Sequence, residues 1–100
     1  MTTTSFGGLL CKYRERKELT QKQAKLRLEK YGGYYTHTTI SSWETGKRHP
    51  TEVGTVVAQF GKVYQLSSEE MQALLEAHLA EVWFRLWGDF HAESEKLARR

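Results

Sequence analysis

Apolar residues recur along this 100-residue chain in steps of three and four, and no segment shows the sustained apolar–polar alternation of a strand. Steps of three and four place side chains on one face of a helix that has 3.6 residues per turn. The pattern therefore predicts an all-α chain. Its five helices are expected at residues 6–17, 21–31, 37–45, 52–64, and 68 to about 87 or beyond.

Small hydroxyl side chains precede each predicted helix, where they can accept hydrogen bonds from the free backbone N–H groups of its first turn. The predicted caps are Ser5, Thr20, Thr36, Thr51 and Ser67. Thr20 with Gln23, and Ser67 with Glu70, also have the spacing of a capping box. These local signals fix where the helices begin.

Residues 36–50 join a polar helix to a basic loop. Ile40 and Trp43 form the inward edge of this helix, and its outward positions are polar: His37, Thr38, Ser41 and Ser42. Gly46 can end the helix with a positive φ, and two basic residues, Lys47 and Arg48, follow at once. This layout is typical of a helix that enters a DNA groove.

Three motifs occur along the chain in a familiar order: Leu9-Leu10-x-x-Tyr13-Arg14, Leu19-Thr20-Gln21 and Ile40-Ser41-x-Trp43-Glu44-x-Gly46-Lys47. On these motifs, residues 9 to about 75 resemble the lambda-repressor-like, or XRE-type, helix-turn-helix family. The resemblance implies a five-helix lambda-repressor-like domain, here with an extended C-terminal helix. It also implies a sequence-specific regulator of transcription that binds double-stranded DNA, most simply a repressor that occupies its operator.

The resemblance also implies roles for individual residues. Bases in the major groove would be contacted by His37, Thr38 and Ser42, with Ser41 as a weaker candidate. Phosphates would be contacted by Thr20, Gln21, Thr45, Lys47, Arg48 and Tyr35. Tyr34 and Tyr35 are equally consistent with packed loop aromatics. Arg14 and Glu44 would form an ion pair that ties the first helix to the end of the third.

Two features depart from the family pattern. The connection from residue 30 to residue 35 is about five residues longer than the usual turn between the second and third helices. Ala24 and Lys25 stand where the family has a larger apolar residue and a small buried one. Leu28, Tyr31 or Tyr35 can fill the resulting space.

Charge is divided unevenly along the chain, whose net charge is +3. Residues 1–50 carry ten Lys or Arg and four Asp or Glu, whereas residues 51–100 carry five and eight. A basic half is suited to a polyanion such as DNA, although the same charges also suit a solvated helix face. The helix-turn-helix motifs favour DNA.

The last predicted helix carries more apolar surface than a single domain can cover. Its core-facing stripe is expected to be Met71, Leu74, Leu75, His78, Leu79, Val82 and Leu86, and its other side carries Trp83, Phe84, Trp87 and Phe90. Pairing of two chains through these four aromatic residues would cover them. Alternatively, the chain folds back at Gly88 and covers them itself.

We divide the chain into a flexible tail (1–5), a helix-turn-helix domain (6–75) and a C-terminal helix extension (76–100) that serves dimerisation. Four scattered histidines and one cysteine, Cys11, give no metal-binding or catalytic spacing, so we expect no enzymatic activity, metal, cofactor or small-molecule ligand. Cys11 is interpreted as a packing residue. No segment resembles a signal peptide or a membrane span, which favours a cytoplasmic, nucleoid-associated protein of a bacterium or phage.

Two other functions fit the same sequence. One is a protein-interaction module, such as an antitoxin or adaptor, that uses the aromatic C-terminal helix. The other is a non-specific nucleic-acid binder.

Overall fold

A computed structural model describes residues 5–99, which form five helices and no strand, as the hydrophobic pattern predicts. The helices are α1 (Phe6–Arg16), α2 (Gln21–Glu29), α3 (His37–Thr45), α4 (Val53–Tyr64) and α5 (Ser68–Ala98). Most of the predicted tail, residues 1–4, lies outside the described residues. Ser5 already belongs to the fold, because its side chain caps α1.

Four of the five predicted caps accept a backbone N–H at the start of their helix, and both predicted capping boxes are complete. The exception is Thr51. Helix α4 begins one residue later than predicted, its N-cap is Glu52, and no side chain in the described part of the chain caps it. Thr51 lies in a bend just before this helix, so its hydroxyl is not at the capping position.

A single hydrophobic core joins all five helices. Its largest fully buried side chains are Tyr64, Phe6, Phe60, Leu10, Leu28, Ile40 and Leu74. Each buried side chain of this size contributes about 1.5–3 kcal/mol relative to an exposed one. Trp43 packs edge-on against Phe60, with ring centroids 6.2 Å apart, and so attaches α3 to the core.

The connection between α2 and α3 is folded onto the domain. Helix α2 ends at Glu29, two residues earlier than predicted, and Gly32 turns the chain with a φ of 85°. The ring of Tyr35 lies 4.8 Å from that of Trp43, centroid to centroid. Of the three candidates for the space beside Ala24, Leu28 is fully buried and Tyr35 partly buried, whereas Tyr31 is about half exposed.

Helix α5 extends well beyond the domain. Its 31 residues make it about 46 Å long at 1.5 Å per residue, in a molecule that measures 54 × 29 × 19 Å. From residue 83 to residue 99, every side chain except that of Ser94 is exposed. No helix within residues 5–99 has the length and apolar character needed to cross a bilayer.

One alternative and one expectation about α5 are wrong. The alternative, in which the chain folds back at Gly88, is excluded because α5 is continuous through this residue. Leu79 and Leu86, expected to face the core, are 64% and 58% exposed. Leu79 points away from the domain, since His78, Glu81 and Val82 around it are half-buried, whereas Leu86 lies beyond the last residue that the domain covers.

Candidate nucleic-acid interface

The outer edge of α3 is polar and open. His37 and Thr38 are exposed in its first turn, and Ser41 and Ser42 are half-buried one turn later. The opposite edge is held by Ile40 and Trp43, which are buried. The Thr36 hydroxyl caps the helix by accepting from the N–H of Thr39 at 3.1 Å, which leaves the side chains of His37 and Thr38 free of capping.

The loop after α3 presents two free cations. Gly46 ends the helix with a φ of 79°, and the N–H of Arg48 donates back to the carbonyl of Ser42 at 3.3 Å. Lys47 and Arg48 are exposed. Neither forms an ion pair with a carboxylate in residues 5–99, so both side chains are available to an external anion.

A buried ion pair fixes α3 against α1. Arg14 donates from Nε and Nη2 to the two carboxylate oxygens of Glu44, at 2.8 and 3.0 Å. Its Nη1 donates to the carbonyl of Leu19 at 2.7 Å. The Glu44 side chain is only 4% exposed. The hydrogen bond to Glu44 raises the pKa of Arg14.

The first residue of α2 joins the same network, since Gln21 donates from Nε2 to Glu44 at 3.1 Å. This bond uses one of the two hydrogens on the side-chain amide and leaves the other available. The Thr20 hydroxyl accepts from the N–H of Gln23 at 3.1 Å, and its hydrogen is likewise available. The start of α2 therefore keeps donors that can face a phosphate.

Two candidate phosphate contacts are engaged within the protein. The Thr45 hydroxyl donates to the carbonyl of Ser41 at 3.0 Å. The Tyr35 hydroxyl donates to the side chain of Gln59, and burial raises the pKa of this tyrosine. Tyr35 thus fits the packed-aromatic alternative rather than a phosphate contact. Tyr34, in contrast, is 76% exposed.

Gly7 determines how closely α1 and α3 approach, and sequence reasoning missed it. A Cβ at this position would lie 2.5 Å from the carbonyl oxygen of Glu44 and closer still to that of Trp43. No side chain larger than hydrogen fits there. The available signal was a glycine inside a predicted helix, where glycine costs about 1 kcal/mol relative to alanine and so calls for a packing reason.

A second unpredicted group connects the basic loop to α5. The Nδ1 atoms of His49 and His78 are 3.2 Å apart and share a hydrogen bond, and the Nε2 of His49 lies 3.3 Å from the Glu81 carboxylate. Glu81 also accepts from the N–H of Phe6, at the start of α1, at 3.2 Å. Burial and the neighbouring His49 lower the pKa of His78. We call His49, His78 and Glu81 the α5 junction.

Within residues 5–99, no group of three or more His, Cys, Asp or Glu side chains has a geometry that could hold a metal ion. Cys11 is half-buried and donates to the Glu15 carboxylate at 3.1 Å. That hydrogen bond, aided by burial, raises the pKa of Cys11 to about 11. The thiol is therefore protonated and weakly reactive at neutral pH.

Helices α2 and α3 pack together, and α3 has an open polar edge beside a basic loop. This arrangement defines a protein of the helix-turn-helix class. A family model described as a helix-turn-helix domain matches residues 5–74. The chain belongs to this family, which confirms the resemblance drawn from its motifs. No curated protein and no solved structure gives a significant match.

Proposed function

We propose that this protein is a sequence-specific transcriptional regulator that lays α3 in the major groove of double-stranded DNA and represses by occupying its operator. One observation carries the proposal: the open polar edge of α3 lies beside two cations that have no ion-pair partner in residues 5–99. Phosphate contacts position such a helix, and contacts to base edges give it specificity.

Base reading is assigned to His37, Thr38 and Ser42, with Ser41 in a lesser role. Thr38 offers a hydroxyl and a methyl group that can pack on thymine, and His37 can donate to or accept from a purine edge. None of these positions carries the Arg, Asn or Gln that makes bidentate contacts with guanine or adenine. Direct readout is therefore modest, and the shape of the DNA supplies part of the specificity.

Phosphate contacts are assigned to Thr20 and Gln21 at the start of α2 and to Lys47 and Arg48 after α3. All four keep donors that are not used up within the protein. The start of α2 adds backbone N–H groups and the positive end of the helix dipole. The hydroxyl hydrogens of Thr45 and Tyr35 are already donated within the protein, so these two residues contribute less.

The decisive experiment begins by selecting bound sites from a random DNA pool. Affinity for the selected site and for scrambled DNA is then measured by fluorescence anisotropy over a range of salt concentrations. Thr38→Ala should reduce the preference for the selected site by about fivefold, equivalent to roughly 1 kcal/mol, and leave the salt dependence unchanged. Lys47→Ala should weaken binding to both DNAs alike and reduce the salt slope by about 1.

Lys62→Ala is the matched control for the lysine variant. Lys62 is also exposed but lies on another surface, beside Lys17 and Arg27. It should change neither affinity nor salt slope. An effect of Lys47→Ala on preference rather than on overall affinity would overturn the division of roles.

We further propose that the protein acts in the bacterial or phage cytoplasm as a homodimer, with an interface that includes Trp83, Phe84, Trp87 and Phe90. These four side chains are each about half exposed or more, and their burial would favour association. A dimer would place two reading helices on one face of the DNA, about 34 Å apart. A sedimentation mass of one subunit at micromolar concentration would contradict the dimer.

The exposed aromatic surface of α5 also favours a second candidate, a protein-interaction module of the antitoxin or adaptor kind. DNA binding separates the candidates. A module of that kind without a DNA role shows no DNA binding even at low salt. A non-specific binder shows DNA binding that falls with salt but no preference for a selected site.

A further inference from the structure

The exposed apolar residues of α5 form a heptad pattern. Leu79, Trp83, Leu86 and Phe90 follow one another in steps of four, three and four, and Leu97 continues the pattern after Glu93 fills one position. All five apolar members are more than half exposed. Steps of this kind place residues at alternating d and a positions of a coiled coil. We call residues 79, 83, 86, 90, 93 and 97 the α5 row.

The surface around the row has the form that receives a side chain from another helix. Trp83, Leu86, Trp87 and Phe90 line a concavity of about 270 Å³. They occupy consecutive a, d, e and a positions, which are the corners of a hole in knobs-into-holes packing. The Trp87 ring is stacked on those of Trp83 and Phe90, with centroids 6.1 and 5.7 Å away, so the walls of the hole support one another.

We propose that a second copy of this chain covers the α5 row in the antiparallel orientation, with the two-fold axis beside residue 88. The inference rests on the proposed function, since it specifies how two DNA-binding domains are joined. The row is symmetric about residue 88. Leu79 faces Leu97 of the partner subunit, Leu86 faces Phe90 of the partner subunit, and Trp83 faces Glu93 of the partner subunit.

The acidic residue in the row selects this orientation. In a parallel pair, each row residue faces its own copy, so Glu93 would lie against a second carboxylate in a desolvated layer. Two like charges in such a layer cost several kcal/mol. In the antiparallel pair, Glu93 lies opposite an indole, whose N–H is a hydrogen-bond donor.

The pair also fixes how far apart the two domains are held. Helix α5 contacts its own domain as far as Glu81, which accepts from the N–H of Phe6 and lies seven positions before residue 88. In the antiparallel pair the two Glu81 residues are therefore about 21 Å apart along the helix axis, at 1.5 Å per residue. The two domains thus lie at opposite ends of the paired helices.

Disulfide trapping tests the orientation. Two variants, Leu79→Cys and Leu97→Cys, are made in a Cys11→Ala background, and one carries a tag that separates it on a gel. Both positions are exposed, so the fold is preserved. In a glutathione redox buffer, antiparallel pairing predicts that each variant alone stays largely uncrosslinked and that the mixture yields the mixed disulfide. A parallel pair would crosslink each variant alone and would overturn the proposal.

An Ala92→Cys variant is the matched control for random collision, because Ala92 is also exposed on α5 but falls at a c position, outside the row. It should give no disulfide above background. The absence of any disulfide above this background, in the mixture as well as in the separate variants, would also overturn the pairing.

Alanine variants test the same interface by sedimentation equilibrium. Phe90→Ala should raise the dimer dissociation constant by roughly tenfold or more, whereas Arg85→Ala, at an exposed c position outside the row, should change it by less than about threefold. Equal effects would contradict the row. If the Phe90→Ala variant is a monomer that still binds a half-site, the proposed DNA binding stands. If the unaltered protein forms the dimer but binds no DNA, the proposed DNA binding is contradicted and the pairing stands.

Discussion

Replacing Glu44 by glutamine isolates the contribution of the buried ion pair. The carboxylate accepts two hydrogen bonds from Arg14 and one from Gln21, and its side chain is almost fully buried. A glutamine side chain of the same shape has one accepting oxygen, and its NH₂ group would face a donor. The Glu44→Gln variant therefore loses a charge partner and at least one hydrogen bond, while the Arg14 guanidinium remains mostly buried.

Removal of one partner from a buried pair costs about 3–5 kcal/mol. Arg14 retains 14% of its side-chain exposure and its bond to the Leu19 carbonyl, so the lower end of this range applies. We expect a loss of about 3 kcal/mol in the free energy of unfolding. For a domain of this size, that loss lowers Tm by about 12 °C or more. Urea denaturation followed by circular dichroism at a fixed protein concentration measures it.

The partly exposed pair between Lys25 and Glu29, with Nζ and Oε2 3.5 Å apart on one face of α2, supplies the matched control. Glu29→Gln should cost no more than about 0.5 kcal/mol. The double variant Arg14→Met/Glu44→Leu should be more stable than Glu44→Gln, because no buried charge is left unpaired. Similar losses in Glu44→Gln and Glu29→Gln would refute the assignment of a buried, structural pair.

Three further predictions concern single residues. Gly7→Ala should lower the free energy of unfolding by about 2 kcal/mol and weaken DNA binding, because the added methyl group would displace α3. Its control is Gly54→Ala, which has open space around it and should raise the free energy of unfolding by up to about 1 kcal/mol. Urea denaturation measures both. Tyr64→Phe should raise stability by about 1 kcal/mol in the same assay, since the buried hydroxyl has no hydrogen-bond partner among residues 5–99. A loss of stability would contradict this. Because the pKa of His78 is lowered in the folded state, its contribution to stability should be complete above pH 6.5 and should be lost as the pH drops through the folded pKa. In urea midpoints measured from pH 8 to pH 5, His78→Gln should remove part of this loss. His91→Gln, at an exposed site on α5, should not.

Much of the fold could be predicted because its signals are local. A capping box such as that of Thr20 and Gln23 is complete within four residues, and it fixed the start of α2 correctly. The same holds for the polar edge of α3, where the alternation of Ile40 and Trp43 with hydroxyl residues indicates both faces of the helix. Arg14 and Glu44 are thirty residues apart, and only the family resemblance connected them in advance.

The remaining features depend on distances between elements that periodicity does not contain. Glycine is required at position 7 because the α3 backbone lies so close to it, and no pattern within α1 reveals this approach. Periodicity placed Leu79 and Leu86 on the core-facing stripe, but the position of the domain around α5 leaves Leu79 pointing away from it and Leu86 beyond it. The α5 junction brings His49 to His78 across twenty-nine positions of sequence.

The α5 junction gives the paired helix a fixed relation to the DNA surface. Glu81 accepts from the first N–H of α1 and lies beside His49, which directly follows the two cations of the basic loop. A carboxylate at a helix N-terminus is stabilised by the helix dipole, so this contact strengthens the attachment of α5 to the domain. Because α5 then runs without a break into the row, no flexible linker lies between the interface and the reading helix. Antiparallel pairing would therefore fix the separation of the two α3 helices, and the protein should select operators by half-site spacing as well as by base sequence.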